Sequence, residues 1–312
     1  MRDVAIVSFA HTLPPEPVAE TETQMLFPVI TEAIEGSGIG RRDIQFTVSG
    51  SADYLAGAPF AFVGNLEATG AWPPISESHV EMDGAWALYE AWVRLQEGDI
   101  DTALVFSSGI STRADLREVL CLQNDPYYLM PLWADHVSLA GLQAQAMIDA
   151  GMAVTPVAST DAPPVNDGAA AIVLVAGDRA REVCERPAWI RGIDHRSDPH
   201  YLGVRDLSRA ESARLAGEQA GIGKAPVEVA ELAAAYDHEE VLLRDALGLG
   251  DDVEINPSGG ARAANPLMVT GLIRIGEAFR QINEHGRHRT VGHATSGPCL
   301  QQNLVCVLEG DS

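Results

Sequence analysis

The sequence has no stripe of basic residues, no long apolar run and no paired-cysteine motif. Its formal net charge is −23 and its pI about 4.6. Nucleic-acid binding draws most of its affinity from clustered Lys and Arg set against phosphates, so that class of partner is excluded. The longest apolar stretches, such as Ala169 to Ala176, fall far short of the roughly 20 residues that a spanning helix needs. Met1 opens directly onto a short strand-like run, with no charged and apolar leader. The expectation is a cytoplasmic protein with no membrane partner. Cys121, Cys184, Cys299 and Cys306 show no CxxC spacing, which suits a reducing compartment and argues against a zinc ribbon. His285 and His288 form an HxxH with His293 nearby, but HGRHRTVGH reads as a polar loop without an acidic third ligand. No metal is expected there.

What remains is a globular chain of 312 residues, 46% of them hydrophobic. That is enough for one large α/β domain or two fused halves. Strand-like runs at Val4–Phe9, Ile44–Val48 and Thr102–Phe106 alternate with a helix ending near Glu35 and another from Gly84 to about Gln96. The alternation predicts a parallel, doubly wound sheet. In the second helix Ala85, Leu88, Ala91, Trp92 and Leu95 share one face, so it is expected to be buried.

The second half echoes the first. EGSGIGRRDIQFTVSGSADY (Glu35–Tyr54) and GEQAGIGKAPVEVAELAAAY (Gly217–Tyr236) each give a helix end, a Gly-Ile-Gly stop, a polar link and an alternating strand. At nearly the same offset the helix at Gly84 meets a second one predicted over Pro266–Ile282. A long unit present twice reads as a fused duplication, since solenoids stack several short ones. The expected halves are 1–178 and 179–312. A nucleotide-binding reading of GSGIG fails, because these glycines end a helix where a phosphate cradle would follow a strand and open one.

Four stretches then stand at ordered places: HVEMDGAWALYEA around Gly84, PVNDGAAAIVLV around Gly168, INPSGGARAANPLMVTGL around Asn265, and SGPCLQQNLVCVLEG at the end. Together they resemble the thiolase superfamily, most closely its sterol-carrier and lipid-transfer type, and the resemblance covers nearly the whole chain. It implies an α/β thiolase-like fold: two βαβαβ halves layered as an αβαβα sandwich, with sheets paired edge to edge in a dimer. Family members carry a long excursion that helps cover coenzyme A. Here the chain passes from Ala150 to Asn166 through GMAVTPVASTDAPPV, so a reduced loop domain is expected.

The resemblance also locates losses. Family members place a cysteine at a helix N-terminus, where the helix dipole favours the thiolate; Gly84 holds that position here. Without sulfur or hydroxyl no covalent acyl-enzyme forms there. Asp83 beside it either caps the helix or lines the acyl site, and Trp86 either fills or borders the acyl space. The family's catalytic histidine is matched by Asn265, which can donate to a thioester oxygen but transfers no proton, or which caps a helix before Pro266. A His-Asp turn of the lipid-transfer type falls on Ala233 and Ala234. Just beyond, Tyr236 and His238 form the remaining polar cluster, with Tyr236 either a base for retro-aldol chemistry or a core aromatic. In the last motif Ser296 and Gly297 supply a backbone oxyanion loop. Cys299 is either an inert buried thiol or a reactive one assisted by His293. Ser258, Gly259 and Gly260 of NPSGG allow close approach of a pantetheine arm.

The expected function is a thiolase-like subunit that binds or helps process acyl-CoA, holds no permanent cofactor, and lacks ordinary cysteine-dependent activity. It is expected as a homodimer, or in a complex with another thiolase-like subunit or an OB-fold zinc-ribbon protein. The alternative is an acyl-CoA lyase or acyltransferase using Tyr236, His238, Asn265, His293 and Cys299.

Overall fold

The computed structural model describes residues 2–70 and 76–311. Its strands are β1 (Val4–Thr12), β2 (Phe46–Gly50), β3 (Ser76–Val80), β4 (Thr102–Ile110), β5 (Asp167–Ala176), β6 (Ala188–Ser197), β7 (Val229–Glu231), β8 (Glu254–Ile255), β9 (Arg289–Ser296) and β10 (Gln302–Glu309). The helices are α1 (Glu22–Gly36), the short α2 (Asp53–Ala56) and α3 (Phe62–Thr69), α4 (Gly84–Glu97), α5 (Leu116–Leu122), α6 (His136–Asp149), the short α7 (Arg179–Val183), α8 (Glu211–Ala220), α9 (Asp237–Ala246), the single turn α10 (Gly260–Ala263) and α11 (Thr270–Asn283).

The ten strands form one sheet in the order β3-β2-β4-β5-β1-β6-β10-β9-β7-β8. Read outward from the β1–β6 junction, the two sides are equivalent: β1 answers β6, β5 answers β10, β4 answers β9, β2 answers β7 and β3 answers β8. At the junction Ala5 faces Trp189 and Ile6 faces Ala188.

The sheet is mixed, which corrects the all-parallel expectation. Only β2–β3, β2–β4, β7–β8 and β7–β9 run parallel, whereas β1, β5, β6 and β10 are antiparallel to every neighbour. For β9 and β10 connection length is the reason. The link from β9 to β10 is too short for a helical crossover, so the chain must turn straight back.

Three apolar cores set the layers. One gathers α4 and α11 with inward residues of both sides of the sheet: Phe46, Val105 and Ile172 from one, Ile190, Leu304 and Cys306 from the other. The second packs α1, through Leu26, Ile30 and Ala33, on the opposite face of the first side. The third packs α8 and α9, through Ala213, Ala216 and Leu243, on the opposite face of the second side. The result is an αβαβα order with α4 and α11 in the middle.

Local chemistry explains where these helices start. Thr21 and Gln24 form a capping box at α1, and Asp83 caps α4. The predicted helix from Pro266 begins four residues late, at Thr270. The preceding chain instead turns through Met268, which holds a left-handed φ of 68°. HGRHRTVGH is a loop only as far as His288, because Arg289 opens β9 and His293 lies inside that strand with no exposure. Between β4 and β5 the excursion holds α5 and α6, followed by coil. No helix among the described residues is long and apolar enough to cross a membrane, and none of their His, Cys, Asp and Glu clusters could hold a metal ion.

Candidate active site

The two middle helices begin side by side, and one carboxylate ties them together. Asp83 accepts from its own helix through Ala85 N–H at 2.8 Å, and from α11 through Gly271 N–H at 2.9 Å and Leu272 N–H at 3.0 Å. Burial pushes its carboxyl up, and these N–H donors pull the other way. The Met268 carbonyl accepts from Gly84 N–H at 2.9 Å and from the Ser107 hydroxyl. The donors that a helix N-terminus offers to an anion are thus taken by the chain itself.

Gly84 is also enclosed. A Cβ at this position would lie 2.7 Å from Ser107 Cβ and 2.8 Å from Leu272 Cδ2. Gly50 crowds it from the next strand, since a Cβ at 50 would lie 2.6 Å from the Gly84 nitrogen. Side chains therefore cannot be added at 84 without moving their neighbours.

Other sequence candidates in this region are engaged in internal contacts. Asp83 is 6% exposed and Trp86 5%, so neither borders open space: Asp83 staples two helices, and Trp86 belongs to the middle core. Asn265 caps no helix at Pro266. Its N–H donates to Asn166 Oδ1 at 3.0 Å, and its Oδ1 accepts from the Thr270 hydroxyl at 2.9 Å.

The NPSGG turn rests on a buried ion pair that the sequence reading missed. Arg274 donates to Glu231 Oε2 at 2.9 Å, and both side chains are almost wholly buried. Ser258 donates to the same carboxylate through its hydroxyl at 2.7 Å and its N–H at 3.1 Å. Gly259 and Gly260 take φ values of 97° and 66°, which let the turn close over this pair. Ser258 is thereby aimed at the protein. A Glu in the otherwise apolar β7 and an Arg on the apolar side of α11 were the available signals.

A second polar cluster surrounds the start of α9. Ala233 and Ala234 lie buried in the coil after β7, and the residues that open α9 are Tyr236 and Asp237. Glu239 accepts from Ala235 N–H at 2.8 Å and Tyr236 N–H at 3.2 Å, and burial raises its carboxyl to about 7. His238 Nε2 lies 3.3 Å from Gln143 Oε1 on α6. Desolvation pushes His238 down to about 4, so it is neutral near pH 7. The Tyr236 hydroxyl is pushed up, first by burial and then by Glu239, Asp135 and Asp161. Gln143 and Glu239 carried no sequence signal.

His293 and Cys299 have separate hydrogen-bond partners. Ala233 N–H donates to His293 Nδ1 at 3.3 Å, and His293 Nε2 pairs with Asn303 Oδ1 at 2.9 Å, so both ring nitrogens are engaged. Burial lowers His293 to about 4. The Cys299 thiol donates to the Leu139 carbonyl at 3.3 Å, and burial lifts it to about 12. Ser296 ends β9, and Gly297 opens the tight turn to β10 with φ 75°.

No family model matches the chain. It is similar to the acetyl-CoA acetyltransferase of Methanothermobacter thermautotrophicus, 26% identical over 176 residues, which cover 49% of this chain and 46% of that protein. The acetyl-CoA acetyltransferase of Methanocaldococcus jannaschii is 24% identical over 91% of each. The beta-ketoadipyl-CoA thiolase of Pseudomonas putida is 28% identical over 49% of this chain and 38% of its own length. The match thus spans about half or less of the first and third relatives and nine-tenths of the second. Among solved structures, an Ltp2-ChsH2(DUF35) aldolase aligns with TM-score 0.79 and 16% identity, covering 99% of this chain and 98% of that one. Human mitochondrial 3-ketoacyl-CoA thiolase in complex with CoA aligns with TM-score 0.73 and 13% identity, covering 100% and 98%.

Proposed function

We propose that the chain, similar in sequence to acetyl-CoA acetyltransferases and in fold to thiolases, is a lipid-transfer-type subunit that binds or helps process acyl-CoA without a cysteine-linked acyl-enzyme. The observation that carries this reading is the closed position at Gly84, hemmed in by Ser107 and Leu272, with its N–H taken by Met268. A thiolase cycle needs a nucleophile there and free donors for the oxyanion. Coenzyme A enters as part of a passing ligand; the solved CoA complex of the human thiolase supports that class of ligand. The chain acts as two fused halves, 1–178 and 179–312, in a homodimer or beside a catalytic thiolase subunit or an OB-fold zinc-ribbon protein. The likeness to an assembly whose name includes ChsH2(DUF35) supports a second component.

A second reading, an acyl-CoA lyase of retro-aldol type, is favoured by one observation. The Tyr236 hydroxyl is buried without a hydrogen-bond partner among the described residues, where a substrate oxygen would complete it. Held protonated, it serves as a donor to that oxygen.

The test is to purify the chain alone and with its gene neighbours, titrate acetyl-CoA and longer acyl-CoAs, and assay thiolysis and retro-aldol cleavage in each preparation. Acyl-CoA binding with turnover only in the complex is expected. Thiolysis by the lone chain would overturn the reading of Gly84.

A further inference from the structure

The pattern Asp-Pro-x-Tyr-Leu occurs twice, as Asp125–Leu129 ahead of α6 and as Asp198–Leu202 ahead of α8. The fold brings the two copies together. Leu129 and Leu202 are buried in one cluster with Leu139, Leu207 and Cys299. Tyr128 and Tyr201 stack on each other at the surface, with ring centres 4.4 Å apart, and His200 Nε2 lies 3.6 Å from Asp125 Oδ2. Each aspartate also anchors its own segment. Asp125 accepts from Tyr127 N–H at 3.2 Å and Tyr128 N–H at 2.7 Å, and Asp198 accepts from the Ser212 hydroxyl at 2.7 Å. The tyrosine pair is therefore held in place before anything covers it, which lowers the entropy cost of binding there.

In the same two segments Tyr127 is 80% exposed, Leu132 73% and Val204 65%, and Trp133 is half-exposed. An aromatic side chain covers about 150–250 Å² when buried, so these residues leave several hundred Å² of apolar surface in water. Patches of that size mark contacts with another macromolecule. Charge is missing as well. In a chain with 21% charged residues, Asp125 is the sole Asp, Glu, Lys or Arg from Leu122 to Ala134, and Pro199–Val204 has none. Asp125 itself faces inward, with a side chain only 9% exposed. Aromatic enrichment with charge depletion is the composition of an interface centre.

Charge also distinguishes the occupant. A second copy would bring −23 against −23. The cations in the flanking sequence are already neutralised, Arg117 by Asp135 at 3.0 Å and Arg209 by Asp206 at 3.5 Å. Like charge thus opposes self-association, whereas a positively charged protein is drawn in. We propose that the Tyr128–Tyr201 surface docks a different protein, one with an apolar contact face and a net positive charge. The inference rests on the reading of the chain as one component of a complex, and deepens it by locating the contact and naming the partner's chemistry.

The test mixes the purified chain with each protein encoded by its gene neighbours and measures dissociation constants by titration calorimetry. Wild type is compared with Tyr127→Asp, Val204→Asp and, as a control, Phe27→Asp on α1. Both patch variants are expected to weaken binding by about tenfold or more at an unchanged melting temperature, because each sets a charge in the contact and removes no internal partner. The control changes an exposed residue of another element and is expected to stay within about threefold of wild type. Wild-type binding is expected to weaken several-fold between about 50 and 300 mM NaCl, as screening cuts the attraction between opposite charges. A complex that forms equally well with both patch variants overturns this surface and leaves the multi-component reading standing. Affinity that does not change with salt overturns the partner's charge. Patch variants that lower the mass of the lone chain in light scattering, while partner binding holds, identify a second copy as the occupant and overturn the proposal. Failure of every neighbour-encoded protein to bind the wild type overturns the inference and the multi-component reading together.

Discussion

Gly84 N–H donates to the Met268 carbonyl at 2.9 Å, which joins the first turn of α4 to a left-handed residue just before α11. The contact occupies an N–H that the helix N-terminus would otherwise offer to an acceptor. Restoring sulfur is therefore expected to harm the fold without creating a thiolase. In Gly84→Cys the new Cβ falls 2.7 Å from Ser107 Cβ and 2.8 Å from Leu272 Cδ2. Overpacking of this kind costs about 1–3 kcal/mol. Urea unfolding of Gly84→Cys and Gly84→Ala should show both losses, with no thiolysis by the cysteine variant. Measurable thiolysis at wild-type stability would contradict the closed site.

Asp83 is expected to matter for folding. Its carboxylate takes backbone N–H groups from Ala85, Gly271 and Leu272. Asparagine at 83 would set its own NH2 against at least one of those donors. A buried N–H donor left facing that NH2 costs about 1–3 kcal/mol, so Asp83→Asn should destabilise by about that much, read from denaturant midpoints. A loss below about 1 kcal/mol would mean that the staple is not holding α4 and α11 together.

Thiol chemistry gives an independent check. Burial lifts Cys299 to about 12, which leaves on the order of one part in ten thousand as thiolate at pH 8. Burial raises the Cys121, Cys184 and Cys306 thiols as well, but Cys121 and Cys306 are fully buried whereas Cys184 is half-buried and so the more accessible. A disulfide reagent at pH 8 is expected to label Cys184 first in the native chain and all four cysteines after denaturation. Rapid native labelling that disappears in Cys299→Ser would restore Cys299 as a nucleophile.

The alternation of elements and the buried α4 were legible because apolar spacing is written locally, and α4 begins at the expected Gly84. Strand direction was less so: the Gly297–Gln301 link forces β9 and β10 antiparallel, and only its length hints at this. That Gly84 offers neither sulfur nor hydroxyl could be read at one position. That Met268 and Asp83 consume the neighbouring donors depends on contacts between segments far apart in the chain. A non-glycine residue with a φ of 68° leaves no mark in the sequence. Gln143 stayed hidden for a similar reason. It lies on α6, and its partner His238 sits in the first turn of α9, so only the packing of two helices brings them together.

Glu239 should shape the pH dependence of stability. Burial raises its carboxyl from 4.5 to about 7, opposed by the N–H groups of Ala235 and Tyr236. Between those pH values the folded chain holds this proton more tightly than the unfolded chain. Its stabilising contribution is therefore complete below about pH 4.5 and is lost as pH rises through 7, a change on the order of 3 kcal/mol. His11, His238 and His293, all lowered to about 4, act in the opposite sense and weaken the fold as pH falls below about 6.5. The difference between wild type and Glu239→Gln removes their contribution, since both proteins carry the same histidines. Glutamine keeps an oxygen for the two N–H donors and mimics the protonated acid. The variant should equal the wild type near pH 4.5 and exceed it at pH 8 by up to about 3 kcal/mol in urea unfolding. A variant less stable than wild type at pH 8 would mean that Glu239 is held as a carboxylate by the α9 terminus.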